Sequence, residues 1–201
     1  MFFRFLFKAR EPEFLLDGDI RLRHLGPQDA AIFRDHLHEL HYVDFRDRFN
    51  GLVSDAWLEN YIAMSLDNAI CIGAFLGDHL LAVAELHTGG SMDEHEAESA
   101  FSVVSDWRRK GLGTLLIKTL LKAATENDIS SLIVETGPQN HAMKALARKF
   151  GAKMQFEGDR SVGRINVAEG LRLAGRRRAF APMPAATSGP GGLPPAALPA
   201  H

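Results

Sequence analysis

The segment from Ala97 to Glu126 constrains the fold more than any other. Ala97–Val104 reads as a strand, and Ser105-Asp-Trp-Arg-Arg-Lys-Gly-Leu-Gly113 as a tight basic turn. A helix from about Leu112 to Glu126 follows, with Leu112, Leu115, Leu116, Leu120, Leu121 and Ala124 on one face. A strand that turns straight into a one-sided helix lays that helix on a sheet, which points to an α/β architecture. Two glycines let the turn's backbone approach a ligand closely. The first N–H groups of a helix lack intrahelical acceptors, and the helix dipole adds partial positive charge. With Arg108, Arg109 and Lys110 alongside, a diphosphate suits the turn. Taken alone, the same residues also read as a basic turn with a plain helix cap. The turn is neither a dinucleotide fingerprint, since the third glycine position is Leu116, nor a Walker loop, since it lacks Gly-Lys-Ser/Thr.

The remaining chain alternates strand and helix signals. Ile20–Leu25 alternates with period two, and Gly26-Pro27-Gln28-Asp29 opens a helix carrying Ile32, Phe33, Leu37 and Leu40. A second helix begins near Ser54. Ile70–Leu76 and Leu80–His87, joined by Gly77-Asp78-His79, read as a hairpin. After the central helix come a strand at Ser131–Glu135, a helix from His141 to Phe150 stopped by Gly151, and short strands at Met154–Phe156 and Val162–Val167. This order predicts an α/β fold, a mixed sheet with helices on both faces.

Charge narrows the function classes. All twenty-five acidic residues lie at or before Glu169; the first 171 residues hold nineteen basic ones, a net of −6. That balance argues against nucleic acid as a partner and favours a cation. The single cysteine, Cys71, excludes an internal disulfide framework and suits a reducing cytosol, so a cytoplasmic location is expected. No apolar run reaches eighteen residues, so no membrane span is expected. His36, His38 and His41 with Glu39 lack a matching ligand set elsewhere, and no metal is expected. Six of the nine prolines fall between Pro182 and Pro199, too little apolar chain to offset ordering entropy. The expected division is an N-terminal extension at 1–16, one domain at 17–169, and a basic, then Pro/Ala/Gly-rich disordered tail at 170–201.

Arg-x-x-Gly-x-Gly after a strand, ten residues beyond Glu98, then a helix, a strand and an Asn-led helix closing at glycine, resembles the GNAT family of acyl-CoA-dependent N-acyltransferases. The wording from Ala97 to Trp107 and from Asn140 to Leu146 is most similar to its bacterial Pat-type protein-lysine branch. The resemblance implies a mostly antiparallel GNAT-like sheet and acetyl-CoA as cosubstrate. It implies that backbone amides from Arg109 through Lys110, Gly111, Leu112 and Gly113 to Thr114, headed by Arg108, hold the pyrophosphate. Main-chain groups at Ser102 and Val103 would pair with pantetheine, and Asn140 would touch the same arm, though it also suits a helix N-cap. A bulge would splay this strand from Ser131–Glu135 and aim one N–H at the thioester carbonyl.

Two departures from the family stand out. Ala147 occupies the place of the tyrosine that protonates the leaving thiolate, and Ala152 that of a phenylalanine. Glu98 falls where several members place the base that takes the amine proton; the other reading is a carboxylate that braces nearby loops, with Glu85 in reserve. Between Glu85 and Glu98 lie five carboxylates and no lysine or arginine, so the acceptor is expected to be a cationic amine, a protein lysine or a small amine or polyamine. A homodimer is compatible with all of this. Two functions stay open: an N-acetyltransferase working by direct attack in a ternary complex, and a non-catalytic acyl-CoA sensor.

Overall fold

The computed structural model describes residues 20–49, 51–89 and 93–176. The expected extension at 1–16 and the tail beyond 176 lie outside the described residues. The strands are β1 (Ile20–Leu25), β2 (Ile70–Leu76), β3 (His79–His87), β4 (Glu96–Val103), β5 (Ser131–Thr136), β6 (Gln155–Glu157) and β7 (Arg160–Asn166). The helices are α1 (Ala30–Glu39), α2 (Tyr42–Phe49), α3 (Asp55–Asn68), α4 (Leu112–Glu126), α5 (His141–Lys149) and α6 (Val167–Arg176). The strands form one sheet in the order β1-β2-β3-β4-β5-β7-β6, antiparallel throughout except for the parallel pair β4–β5.

Period two along β2 and β3 divides the core. Cys71, Phe75, Leu80 and Val83 face Phe33 and Leu37 of α1 and Leu58 and Ile62 of α3. Ile72, Ala74, Ala84 and Leu86 face the leucine stripe of α4, and Ala147 and Phe150 join that side. Both faces of the central strands are thus dry, and β2 and β3 read as continuous apolar runs for that reason. The parallel crossover β4–α4–β5 is the expected one, and the buried stripe of α4 is what holds it to the sheet.

Two helices depart from the expected order. Helix α2 buries no residue completely, so no apolar stripe marks it; it is held by contacts described below. Helix α6 occupies residues assigned from sequence to the last strand and the start of the tail. Asn166 Oδ1 accepts from the Glu169 N–H at its start, and Gly170 lets it press on α4. A Cβ at Gly170 would come within 3.0 Å of Leu121 and of Ile165. Folded structure therefore runs past Glu169 to Arg176.

Candidate functional site

The site begins where two strands part. β4 and β5 pair from Glu96–Ser131 to Ser99–Val134 and no further, although β4 runs on to Val103. Ser99 Oγ donates to the Ile133 carbonyl at 2.9 Å and fastens the last rung. Beyond it, the β4 edge from Ala100 to Val103 faces a gap. The expected bulge is absent: β4 keeps an unbroken register on β3 from Val103–Ala82 to Glu98–His87. The split arises because β5 stops pairing with β4, not because β4 gains a residue.

The glycine turn follows directly. A short 3-10 turn, Ser105–Trp107, leads into Arg109 at φ 60° and Gly111 at φ 95°, both left-handed. Gly111 is the N-cap of α4, so no side chain satisfies the first-turn amides. Leu115 N–H is the first to find an intrahelical carbonyl, that of Gly111 at 3.0 Å, leaving the amides of residues 112–114 pointing outward. Arg109 and Lys110 are exposed beside them, and Lys110 Nζ sits 4.7 Å over the Trp107 ring. Lys149 of α5 donates to Thr114 Oγ1 at 3.0 Å, a cation at the turn that spacing alone did not reveal.

Arg108 differs from its neighbours: its guanidinium pairs with Asp44 of α2. Farther along α2, Asp47 Oδ1 lies 3.3 Å from where a Cβ on Gly137 would sit, just past β5. Helix α2 therefore reaches from the glycine turn to the loop after β5, across the gap.

Beneath α2 lies a cluster that the sequence did not announce. Glu85, fully buried on β3, accepts from Arg48 Nη2 at 2.5 Å, Tyr61 Oη at 2.5 Å and His87 Nε2 at 3.3 Å. Arg48 also donates to Tyr61. Burial pushes the Glu85 carboxyl up, but Arg48 with the His87 and Tyr61 donors outweighs it and holds the group down at about 2. Burial beside Glu85 pushes the Tyr61 hydroxyl up. Phe49 packs edge-on to Tyr61 at 5.1 Å, and Trp57 stacks on Tyr61 at 5.3 Å.

Glu85 is therefore a structural anion rather than a reserve base, and it adds no field at an entrance. Glu96 is paired with Arg164 at 3.2 Å, so of the five carboxylates counted in sequence Asp93, Glu94 and Glu98 remain exposed, with no arginine hydrogen-bonded to them among the described residues. Glu98 stands one residue before the strands part, directly opposite His87 on β3. Ser102 is buried; its hydroxyl donates to His36 Nε2 at 2.8 Å, while His36 Nδ1 faces the Leu80 carbonyl at 2.9 Å. That carbonyl fixes the proton on Nδ1, and burial lowers the imidazole to about 4, so it stays neutral. His36 thus turns inward, away from His38 and His41. Asn140 caps α5, its Oδ1 accepting from Met143 N–H at 3.0 Å. Ala147 is 0% exposed and offers no acid.

A model of the acetyltransferase (GNAT) family matches residues 34–152, more than half of the chain. The chain belongs to the GNAT acetyltransferase family. It is accordingly an acetyltransferase with acetyl-CoA as cosubstrate, and the uncapped start of α4 and the β4–β5 gap fit a diphosphate and an extended arm. Solved structures share the fold. The GNAT domain of S. lividans PAT superposes with a TM-score of 0.65 at 18% identity, over 73% of this chain and 90% of that one. The PaiA N-acetyltransferase from Thermoplasma acidophilum, solved with coenzyme A, gives 0.56 at 17% over 74% and 99%. The ribosomal-protein-S18-alanine N-acetyltransferase from Escherichia coli gives 0.58 at 15% over 74% and 94%. Among the described residues of this GNAT chain, no helix is long and apolar enough to cross a membrane, and no group of three or more His, Cys, Asp or Glu is placed to hold a metal.

Proposed function

We propose that the chain transfers an acetyl group from acetyl-CoA to a primary amine by direct attack within a ternary complex. The observation that carries this reading is the parting of β4 and β5 after Ser99–Val134, with exposed Glu98 at its edge and uncapped amides at its far end. Amides from Arg109 to Thr114 hold the pyrophosphate, and Lys110 adds charge. Arg108 contributes to the extent that it leaves Asp44. Main-chain groups at Ser102 and Val103 pair with pantetheine, and the His36 tie keeps that stretch of β4 in place. Asn140 lies beside the same arm.

The amine arrives as an ammonium and must lose a proton before its lone pair can attack. Glu98 receives that proton. The nitrogen adds to the thioester carbonyl, the adduct's nitrogen gives up its second proton to water, and the intermediate collapses as the C–S bond breaks to release the coenzyme A thiolate. Water protonates the thiolate, because buried Ala147 supplies nothing. Exposed Asp93, Glu94 and Glu98 favour a cationic acceptor, through a field that salt screens. PaiA and the S18-alanine enzyme are both named as N-acetyltransferases, consistent with an amine acceptor.

The alternative, an acyl-CoA-binding sensor that does no chemistry, rests on Ala147 alone and runs against the family's acetyltransferase activity. Coenzyme A release from acetyl-CoA across a panel of polyamines, lysine peptides and neutral amines separates the two. Amine-dependent release, strongest with cationic amines, supports transfer; tight acetyl-CoA binding with no release for any amine supports the sensor.

A further inference from the structure

Glu98, once protonated, must pass its proton on before it can serve again, and the β3–β4 register sets an imidazole across from it. His87 lies opposite Glu98 in the β3–β4 register, with side chains on the same face of the sheet and Cβ atoms at the ~5 Å spacing of a cross-strand pair. Its Nε2 is 3.3 Å from Glu85, and a carboxylate can only accept, so Nε2 carries a proton and Nδ1 is the basic nitrogen. Nδ1 has no hydrogen-bond partner among the described residues. The His87 side chain is 30% exposed, whereas Glu85 is sealed at 0%. The ring thus has one nitrogen anchored in the interior and a path to solvent.

We propose that His87 is the relay that takes the acceptor's proton from Glu98 and delivers it to solvent, with Glu85 as the residue that sets its tautomer. This rests on the direct-attack reading above. In the relay, Glu98 takes a proton from the ammonium, and the protonated carboxyl passes it to Nδ1. The resulting imidazolium lies between Glu85 and Glu98 and gives its proton to water, which returns both groups to their starting states. His87 acts through Glu98 and is a positioning residue, not one that touches the reacting atoms.

The surroundings suit a ring that must gain and lose a proton. On its own strand His87 meets Glu85, whose charge is matched by Arg48 of α2. From α3 it meets the Tyr61 ring, at 6.2 Å between centroids, with its hydroxyl turned to Glu85. On β4 Glu98 stands opposite it in the register, and β2 places Cys71 opposite Glu85, a thiol that burial keeps protonated. Arg160 of β7 acts electrostatically on Glu98 from the other side.

Two measurements on the full chain test the relay. The first follows the His87 ring by NMR through a pH titration, its signal assigned with His87→Gln. If the two groups face each other, Glu98→Gln lowers the ring's midpoint by at least about half a pH unit, since an opposite charge nearby favours the charged form. An unmoved midpoint overturns the relay without touching the transfer reading. The second is the pH profile of turnover with the best amine of the panel. Glutamine at 87 keeps an N–H donor for Glu85 but cannot carry a proton onward. His87→Gln should therefore hold acetyl-CoA affinity and lose roughly ten- to a hundredfold in kcat, along with the imidazole limb of the profile. Unchanged kcat and an unchanged profile overturn the relay, whereas a wild type that binds acetyl-CoA and acetylates no amine overturns the transfer reading and the relay with it.

Discussion

Arg108, at the head of the glycine turn, is paired with Asp44 of α2. The pair joins the helix that crosses the gap to the loop proposed to meet the coenzyme, where Asp44 would compete with phosphate for one guanidinium. Arg108 is 41% exposed and Asp44 23%, so solvent screens the pair, and such pairs contribute up to ~1 kcal/mol. Asp44→Asn should release Arg108 and tighten acetyl-CoA binding by roughly two- to fivefold at low ionic strength, with the gain fading in high salt. Dissociation constants at two salt concentrations check this. Weaker binding in the variant would mean that α2 is needed in place to shape the turn.

The Arg48–Glu85–Tyr61 cluster anchors α2 from below. Arg48 is 11% exposed and Glu85 0%, so removing one partner leaves the other buried and uncompensated. Glu85→Ala should lower stability by about 3–5 kcal/mol. Replacing both, as Arg48→Met with Glu85→Gln, should recover much of that loss. Denaturant unfolding of the wild type and the two variants reads it directly. A Glu85→Ala protein as stable as wild type would contradict the buried pair.

Acid sensitivity follows from two buried groups. His36 titrates at about 4 in the folded chain against an ordinary 6.5, because burial disfavours its charged form. A depressed value means that the unfolded chain binds the proton first as pH falls. His36's contribution is therefore complete above 6.5 and lost as pH drops toward about 4. Glu85 is depressed from 4.5 to about 2, so its contribution is complete above 4.5 and lost between there and about 2. Wild-type stability should thus begin to fall below about pH 6.5, and His36→Gln should shrink the loss between 6.5 and about 4, leaving the part due to His24, which burial also lowers. Superimposable stability curves for the two proteins would show that His36 is not neutral in its site.

Glu98 is tested by Glu98→Gln, which removes a base and keeps the shape. The side chain is exposed, so the fold should be unaffected. Acetyl-CoA affinity should hold while turnover falls by roughly 10²–10³, the scale of positioned proton transfer. A loss confined to KM for cationic amines would assign Glu98 to attraction alone.

Local signals carried the elements that need few distant partners. The leucine stripe of α4, the Gly77 hairpin and the Asn140 cap are written in spacing and turn chemistry, and each lies where the sequence reads it. Helix α2 was not legible because its side chains meet partners far along the chain: Asp44 meets Arg108, Arg48 meets Glu85, and Phe49 meets Tyr61. Without those contacts Tyr42–Phe49 is merely a charged stretch with aromatics. Glu85 looked accessible for the same reason, since a glutamate in a strand declares its burial only once its arginine is known. Helix α6 hid behind Gly170 and Gly175, which break its apolar stripe, although Gly170 is the residue that lets it sit on α4. The family resemblance placed the glycine turn and the strand split, but it also implied a bulge that β4 does not have.

The glycine turn is the proposed seat of the coenzyme. Gly111 sits at φ 95° with uncapped amides beyond it, and a glutamate there brings a strained side chain and a negative charge to where the pyrophosphate is to lie. The direct measurement is a calorimetric titration of acetyl-CoA into the wild type and into Gly111→Glu, with thermal unfolding to show that both are folded. Saturable binding by the wild type and none detectable by the folded variant is the expected result. Equal affinity in the two proteins would contradict it.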